Sequence, residues 1–371
     1  MIAMAVTIIV LAGAMMMFMK SNDSHNMTIQ MTEMQANARA AANSLSQDLS
    51  QAGTGLTGGI GLPSKGGAAI ETFGVSGAYL NPDQFYNSPS NGITSMYGVT
   101  PAFGAGPTIG GQAMDGINIV YNDPVLSDTS KSNWALQTVN LTTTGGTTTV
   151  DATGLNPTIT DPNTGLRVGD VVMFNGPGGQ QPVAVVTAAP TGNTFVIAPG
   201  DPFNINQTIA TSNNLTAMGT TAGGVTSYPA NAITMMRLSV ITYFLQAVTP
   251  LGVPIPLPAA GATDYRLMRQ LNGQPAVPVA EHIDYLHFYY DLADSTAPPT
   301  TPLSHIPDAV EPAIAPNPAA PAYSLIRTVY VNLAARTAKP DKNGQYAHAT
   351  INTAIGPQSL SFRNTYPPSG P

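Results

Sequence analysis

The amino-acid sequence predicts an α+β fold, in which one long N-terminal α-helix packs on an antiparallel, β-rich head. Two patterns support this fold class. The first proline is Pro63, and regularly spaced apolar side chains run through the first fifty residues, as in a helix. Beyond residue 115, short segments rich in valine, isoleucine, threonine and tyrosine alternate with turns that contain glycine, proline and asparagine. The head is here the chain from residue 54 onward.

The start of the helix is apolar. Residues 1–19 carry no charged side chain, and Lys20 is the first charged residue. Nineteen helical residues are about 28 Å long, close to the hydrocarbon thickness of a bilayer. A cleaved secretory signal has a positively charged start and a shorter apolar stretch, so we favour a transmembrane anchor over 1–19. The predicted anchor residues are Met1, Ile2, Val6, Ile8, Ile9, Val10, Leu11, Gly13 and Phe18.

The helix continues as an amphipathic segment after Lys20. Apolar residues recur there at steps of three and four, which places them on one helix face. Gly53 and Gly55 supply a helix stop, so we predict one helix over 1–53. The residues predicted to pack on the head are Met27, Met31, Met34, Ala38, Ala41, Leu45 and Leu49.

The head divides by composition. Residues 54–135 are rich in turn-forming residues, and 136–210 have the strand spacing of a small antiparallel β module inserted into the head. Residues 211–364 form the main β-rich part, and 365–371 are predicted to be a flexible tail.

Individual strands are predicted from their side-chain patterns. They cover GINIVYN at 116–122, a hairpin around Gly145–Gly146, 171–174, 183–187, 194–198, the long 233–247, two runs joined at Asn272–Gly273, and 324–337. The proline- and alanine-rich segment 296–322 is predicted to be an exposed extended loop.

Composition excludes several classes of function. Only 9% of residues are charged, against about 25% in ordinary soluble domains, which suits an exported β-rich protein. The net charge is −7 and the 13 basic residues are dispersed, so we expect no nucleic-acid partner. With no cysteine, the chain has neither disulfides nor thiolate metal ligands.

No pattern of catalytic or metal-binding residues emerges. His282 and Asp284 would share one strand face and His287 the other, which is too few ligands for a transition-metal site. The nucleophile-elbow and zinc-protease motifs are absent from the sequence. Trp134 and the aromatic run 288–290 could stack on a sugar, but we interpret them as packing residues. We therefore predict no enzyme activity, catalytic residue, cofactor or metal.

Several segments together resemble a known family. The opening MIAMAVTIIVLAGAMMMF and the helix end NARAAANSLSQDLSQAG are similar to the N-terminus of type IV pilins, specifically PilW-type minor pilins. In that family the anchor helix closes on an acidic residue, an amide and an Ala-Gly stop, as here with Asp48, Gln51, Ala52 and Gly53. The segments DYRLMRQ, VAEHIDYLHFYYDLAD, LIRTVYVNLAART and SFRN resemble successive parts of that family's head.

This resemblance implies a pilin-like fold and a structural role. It implies a minor pilin in type IV pilus assembly or initiation, in which the anchor residues named above form the filament core. The partners would be other pilin subunits, the inner-membrane assembly machinery and, before assembly, the lipid bilayer. The subunit would be a single-pass protein of the bacterial inner membrane and would then enter the extracellular pilus, or fimbrium. The resemblance also implies methylation of the subunit and a role of the pilus in cell adhesion and twitching motility.

One departure and two alternatives accompany the resemblance. Ala5 stands where these pilins have a glutamate if Met1 is the mature start, so we expect Met1 to lie a few residues inside the mature N-terminus. Pseudopilins of type II secretion share the same layout. A surface adhesin or carbohydrate-binding protein that uses the helix only as a tether is the alternative from a different functional class.

Overall fold

A computed structural model places the residues that carry the fold. It describes residues 2–56, 60–61, 95–201, 203, 205–206, 215–222, 225–259, 261–292, 303–306, 323, 326–357 and 359–360. The predictions for Met1, for most of 54–94, for most of 296–322 and for the tail 365–371 lie outside the described residues.

One long helix begins the chain. Helix α1 spans Ile2–Gln51, 50 residues, and is therefore about 75 Å long. It ends where Gly53 adopts a positive φ of 74° and its N–H donates to the carbonyl of Val120. Gly98 lies so close to Gly53 that a Cβ on Gly98 would approach the Gly53 Cα to 2.6 Å. The end of the helix is thus fixed against the head by backbone contact.

The remaining elements are one other short helix, a 3₁₀ turn and 22 strands among the described residues. Helix α2 spans Pro124–Ser127, and the 3₁₀ turn spans Leu215–Met218. The strands before the longest one are β1 Ile60–Gly61, β2 Ser95–Met96, β3 Val99–Ala102, β4 Thr108–Ile109, β5 Gln112–Ala113, β6 Gly116–Asn122, β7 Thr138–Thr144, β8 Thr147–Asp151, β9 Val171–Asn175, β10 Val183–Val185, β11 Ala188–Thr191, β12 Thr194–Ile197, β13 Thr220–Ala222 and β14 Val225–Ser227. The others are β15 Ile233–Val248, β16 Pro254–Ile255, β17 Asp264–Leu271, β18 Val277–Glu281, β19 Ile283–Leu292, β20 Leu303–Ile306, β21 Ile326–Arg336 and β22 His348–Ile355.

Strand β15 is the centre of the largest sheet. Its 16 residues pair antiparallel with β7 and β9 in the first part, then with β6, and with β17 and β16 towards the end. These pairings join 14 strands into one branched sheet. A four-stranded antiparallel sheet in the order β20-β19-β21-β22 lies beside it, and α1 packs against β21, β22 and β18.

Two apolar cores form on this framework. The first contains the buried side of α1, the later part of β15 and the inner faces of β19 and β21. The second contains Trp134 and side chains from β7, β8, β12 and the start of β15. Strand β9 serves both cores, because Val171 and Met173 face the first while Val172 and Phe174 face the second. The segment 136–210 therefore shares a sheet with the rest of the head.

The predicted α+β, pilin-like fold class is wrong. Among the described residues 40% are in strands and 21% in helices, and they form a large β-rich fold instead of a small pilin head. The physical reason for this difference is strand pairing. Strand β15 of the segment 211–364 pairs with β7 and β9 of the segment 136–210, so both segments belong to one sheet. Side-chain patterns also missed strands such as β11 and β22, whose exposed faces carry alanine, threonine and histidine.

Several local predictions agree with the structure. The hairpin at Gly145–Gly146 joins β7 and β8, and the turn at Asn272–Gly273 follows β17. The predicted strands at 171–174, 194–198 and 233–247 correspond to β9, β12 and β15. GINIVYN is strand β6, and all seven of its residues are buried. Within the predicted loop 296–322, residues 303–306 form strand β20.

Candidate functional site: the N-terminal helix and its junction with the head

The first half of α1, residues 2–26, extends away from the head and is here called the free half. Its described side chains are exposed, and many of them are large and apolar. The exposed large apolar residues are Met4, Val10, Leu11, Met15, Met16, Met17, Phe18 and Met19, each between 57% and 77% exposed. A Cβ added at Gly13 would meet no other group within 4 Å apart from the backbone of its own helix. Ile2, Val6, Ile8 and Ile9 lie in the helix, but their side chains are outside the described part, as is Met1.

The second half of α1, residues 27–51, is the packed half. Five of the predicted contact residues are buried at 5% exposure or less: Met34, Ala38, Ala41, Leu45 and Leu49. Met27 is half-buried, and Met31 is 42% exposed. Both lie on the same helix face as Met34, so burial of this face becomes incomplete before Met34.

The exit point is marked by a contact with the loop after β21. The backbone N–H of Lys339 donates to the side-chain oxygen of Gln30 over 3.3 Å. Beside this contact, an open notch of about 330 Å³ separates the helix from the loop, lined by Asn26, Ile29, Gln30, Glu33, Ala338 and Lys339.

A buried ion pair anchors the packed half to the sheet. The carboxylate of Asp48, 5% exposed, accepts from Arg269 Nε at 2.7 Å and from Arg269 Nη2 at 3.2 Å. Tyr243 donates its hydroxyl to the same carboxylate at 2.6 Å, and Tyr121 donates at 3.2 Å. Ser44, one turn earlier, shares a 2.6 Å hydrogen bond with Tyr243. Three strands, β6, β15 and β17, thus converge on one helix residue.

The electrostatics of this cluster favour the ion pair and neutral tyrosines. Burial, together with the negative charge of Asp48, raises the pKa of both Tyr121 and Tyr243 well above their ordinary value. Burial disfavours the charge of Arg269, but its hydrogen bonds to Asp48 outweigh that effect and raise its pKa. Both phenols are hydrogen-bond donors at neutral pH, and the cluster holds one negative and one positive charge. Its chemistry is structural, because both carboxylate oxygens of Asp48 are engaged with the head.

Sequence reasoning did not identify Arg269, Tyr243, Tyr121 or Ser44 as members of this cluster. A usable signal was present at Asp48, which follows Leu45 by three residues and so lies on the buried face of the helix. A carboxylate at that position indicates a cation or hydrogen-bond donors on the facing surface of the head. The sequence does not tell which arginine of the head supplies it.

The histidines are distributed over separate polar contacts. His287 Nδ1 lies 3.1 Å from the buried carboxylate of Asp115, which also accepts from the backbone N–H of Phe288. His348 Nε2 lies 2.8 Å from Asp284 on the neighbouring part of the sheet. The described residues contain no group of three or more potential ligands that could hold a metal ion.

A second ion cluster lies near the helix-exit end of the head. Asp264 contacts His282 Nδ1 at 2.7 Å and Arg336 Nη2 at 3.1 Å. Burial works against ionisation of Asp264, but the hydrogen bond and charge of His282 and the charge of Arg336 lower its pKa overall. Arg336 also lies over the ring of Tyr346, 4.1 Å from the ring centroid. These contacts hold β17, β21 and the loop before β22 together.

The aromatic residues that could have stacked on a sugar are packing residues. Trp134 is fully buried, and its Nε1 donates to the carbonyl of Pro157 at 2.6 Å. Phe288 and Tyr290 are also fully buried, and Phe103 meets Tyr290 edge-on with ring centroids 5.8 Å apart. Phe288 and Tyr290 therefore belong to the first core, whereas Tyr289 between them is half-buried.

Comparison with other proteins adds no relative. Searches against protein-family models, curated proteins and solved structures found no match to this chain. A search of the helices, limited to the residues that the structure describes, found none long and apolar enough to cross a membrane.

Proposed function

We propose that this protein is a structural subunit, of the minor-pilin kind, of a type IV pilus or a related filament, and that α1 is its assembly element. The proposal rests on one observation: half of a 50-residue helix extends from the head, and the large apolar side chains that the structure describes there are uncovered. It does not depend on the fold of the head, which is larger and richer in strands than a pilin head.

The exposed apolar side chains of the free half require burial against lipid or another protein. Burying one large apolar side chain is worth about 1.5–3 kcal/mol, and eight such exposed side chains follow one another along a single helix. Contiguous apolar surface of this kind marks a contact with lipid or protein. Two covers fit a helix without a charge before Lys20: the bilayer before assembly and the helices of other subunits after it.

The junction supports a mechanical role for the helix. Asp48, Arg269 and Tyr243 fix the packed half to the central sheet through buried, charge-assisted hydrogen bonds. A helix held in this way transmits its position, and any load on it, directly to the head. A tether that serves only to retain a protein at a surface has no need of such a connection.

The proposal includes partners and a location. Before assembly, residues 1–19 would span the bacterial inner membrane with the head outside the cytoplasm. The inner-membrane assembly machinery would then move the subunit into an extracellular filament beside other pilin subunits. A secretion pseudopilus would use the same helix in the same way.

Incorporation into filaments tests this proposal. In the native bacterium, Leu11→Arg should remove the subunit from sheared and purified filaments, because an arginine at the centre of a membrane helix costs about 2.5–3.5 kcal/mol and would also be buried between helices. Leu251→Arg is the matched control, since Leu251 is 90% exposed on a turn of the head. Immunodetection of the subunit in the filament and membrane fractions gives the measurement.

The outcomes separate the alternatives. Loss of the Leu11→Arg subunit from filaments, with normal amounts of the Leu251→Arg subunit, supports the proposal. A wild-type subunit that stays in the membrane fraction and never enters filaments would instead identify a tethered adhesin or carbohydrate-binding protein. Equal incorporation of both variants contradicts a role for the free half.

A further inference from the structure

We infer that neighbouring copies of this chain are joined by an ion pair in which Glu33 of one copy meets Arg39 of the next. The inference deepens the proposed filament function and rests on it. It names the second copy as the partner of a specific part of α1 and assigns the contact to the packed half instead of the apolar free half.

The two charges have no partner within the described chain. Glu33 and Arg39 are exposed, and neither forms an ion pair among the residues that the structure describes. Asp48, the third charged residue of the packed half, is fully engaged with Arg269. In a chain with only 9% charged residues, these two opposite charges lie six positions apart on the one helix proposed for assembly, where a second copy offers each of them a complementary charge.

Their positions around the helix suit a contact between successive copies. At about 100° per residue, Glu33 lies about 140° to one side of Ala38 and Arg39 about 100° to the other side. Ala38 is buried against the head. The two charges therefore flank the packed face on opposite sides, and one copy can present Glu33 to one neighbour and Arg39 to another.

This arrangement predicts a particular type of interface. A contact that uses two different faces of the same molecule is heterologous, and it extends into an open helical assembly when the rotation does not close. Six residues separate the two charges, so pairing between parallel helices requires an axial step of about 9 Å from copy to copy.

The notch beside Glu33 gives the arginine a place to enter. It is open to solvent, has a volume of about 330 Å³ and includes Ile29, which is 42% exposed and can cover the aliphatic stem of an arginine. Lys339 also lines the notch but forms no ion pair with Glu33. An incoming Arg39 would exclude water from Glu33 and strengthen the attraction.

Cysteine cross-linking tests the geometry. These 371 residues contain no cysteine, so every cross-link between them can be assigned to the introduced thiols. With a short bismaleimide on filaments, Glu33→Cys/Arg39→Cys should give a ladder of dimers, trimers and higher species, because each copy carries one cysteine towards each neighbour. Each single variant should give no ladder. Dimers without higher species would show a symmetric contact and overturn the inference.

Charge exchange tests the energetics. Glu33→Arg and Arg39→Glu should each lower filament incorporation at least about tenfold, since each places like charges opposite one another. The double variant Glu33→Arg/Arg39→Glu should restore incorporation. If Glu33→Arg is rescued by Lys339→Glu and not by Arg39→Glu, then Glu33 acts within its own chain and the inference is wrong.

The failure of this inference is distinguishable from failure of the proposed function. If wild-type protein enters filaments and Leu11→Arg does not, while neither the ladder nor the rescue is seen, the filament role stands and the Glu33–Arg39 contact is excluded. If wild-type protein never enters filaments, both are contradicted.

Discussion

Replacing Asp48 by alanine should lower the free energy of unfolding by about 3–5 kcal/mol, the usual cost of removing one partner of a buried ion pair. The substitution leaves Arg269 with an uncompensated charge and removes the acceptor of the Tyr121 and Tyr243 hydroxyls. The loss should appear as a lower midpoint in guanidinium unfolding of the full chain in mild detergent, followed by circular dichroism.

Two controls isolate the buried pair. Asp128 forms an exposed ion pair with Lys131 at 3.0 Å, so Asp128→Ala should change the unfolding midpoint little. The double variant Asp48→Ala/Arg269→Ala should lose less than the sum of the two single changes, because the two side chains interact directly. Strict additivity would show that the two charges are not energetically coupled.

Replacing Arg237 by alanine should weaken the connection between the two cores and lower the free energy of unfolding by a similar amount. Arg237 on β15 donates to the carboxylate of Asp123 from Nε at 2.9 Å and from Nη2 at 2.5 Å. Its Nη1 donates to the carbonyls of Thr164 and Gly165, each at 2.9 Å. We expect a loss of about 3–5 kcal/mol, because a buried carboxylate and two carbonyls lose their donor together.

The fluorescence of the single tryptophan allows the unfolding of one core to be measured separately. Trp134 lies in the second core, so its fluorescence reports on that core, whereas circular dichroism follows the whole chain. In Arg237→Ala, the fluorescence transition should move to lower denaturant than the circular dichroism transition. Arg167→Ala is the matched control, because Arg167 is exposed and its side chain makes, among the described residues, only a 3.5 Å contact to the carbonyl of Pro162. Coincident and unshifted transitions in Arg237→Ala would contradict the role of this arginine.

The helix could be predicted because its signals are local. Apolar residues at steps of three and four, the late first proline and the glycine stop each act within one or two turns. Burial of Met34, Ala38, Ala41, Leu45 and Leu49 follows the same period. Exposure of Met31 could not be predicted, because it depends on where the head ends against the helix.

The prediction of the fold class was wrong because it depends on which strands pair across long distances in the sequence. Each of β7, β9, β6 and β17 has a recognisable pattern, but that pattern does not specify that all four pair with β15. Register across more than a hundred residues is set by which faces bury together, as with Val171 and Val172 on opposite sides of β9. The same limit applies to Arg269, which lies 221 residues from Asp48.

Cysteine accessibility is the most direct measurement of the central claim that the free half of α1 is covered in the cell. Leu11→Cys and Leu251→Cys place single thiols at two leucines that are exposed in the isolated chain, by 67% and 90%. Intact cells treated with a membrane-impermeant maleimide should label Leu251→Cys and leave Leu11→Cys unlabelled until the chain is denatured. Equal labelling of both variants in intact cells would contradict the claim, because the free half would then stand in water.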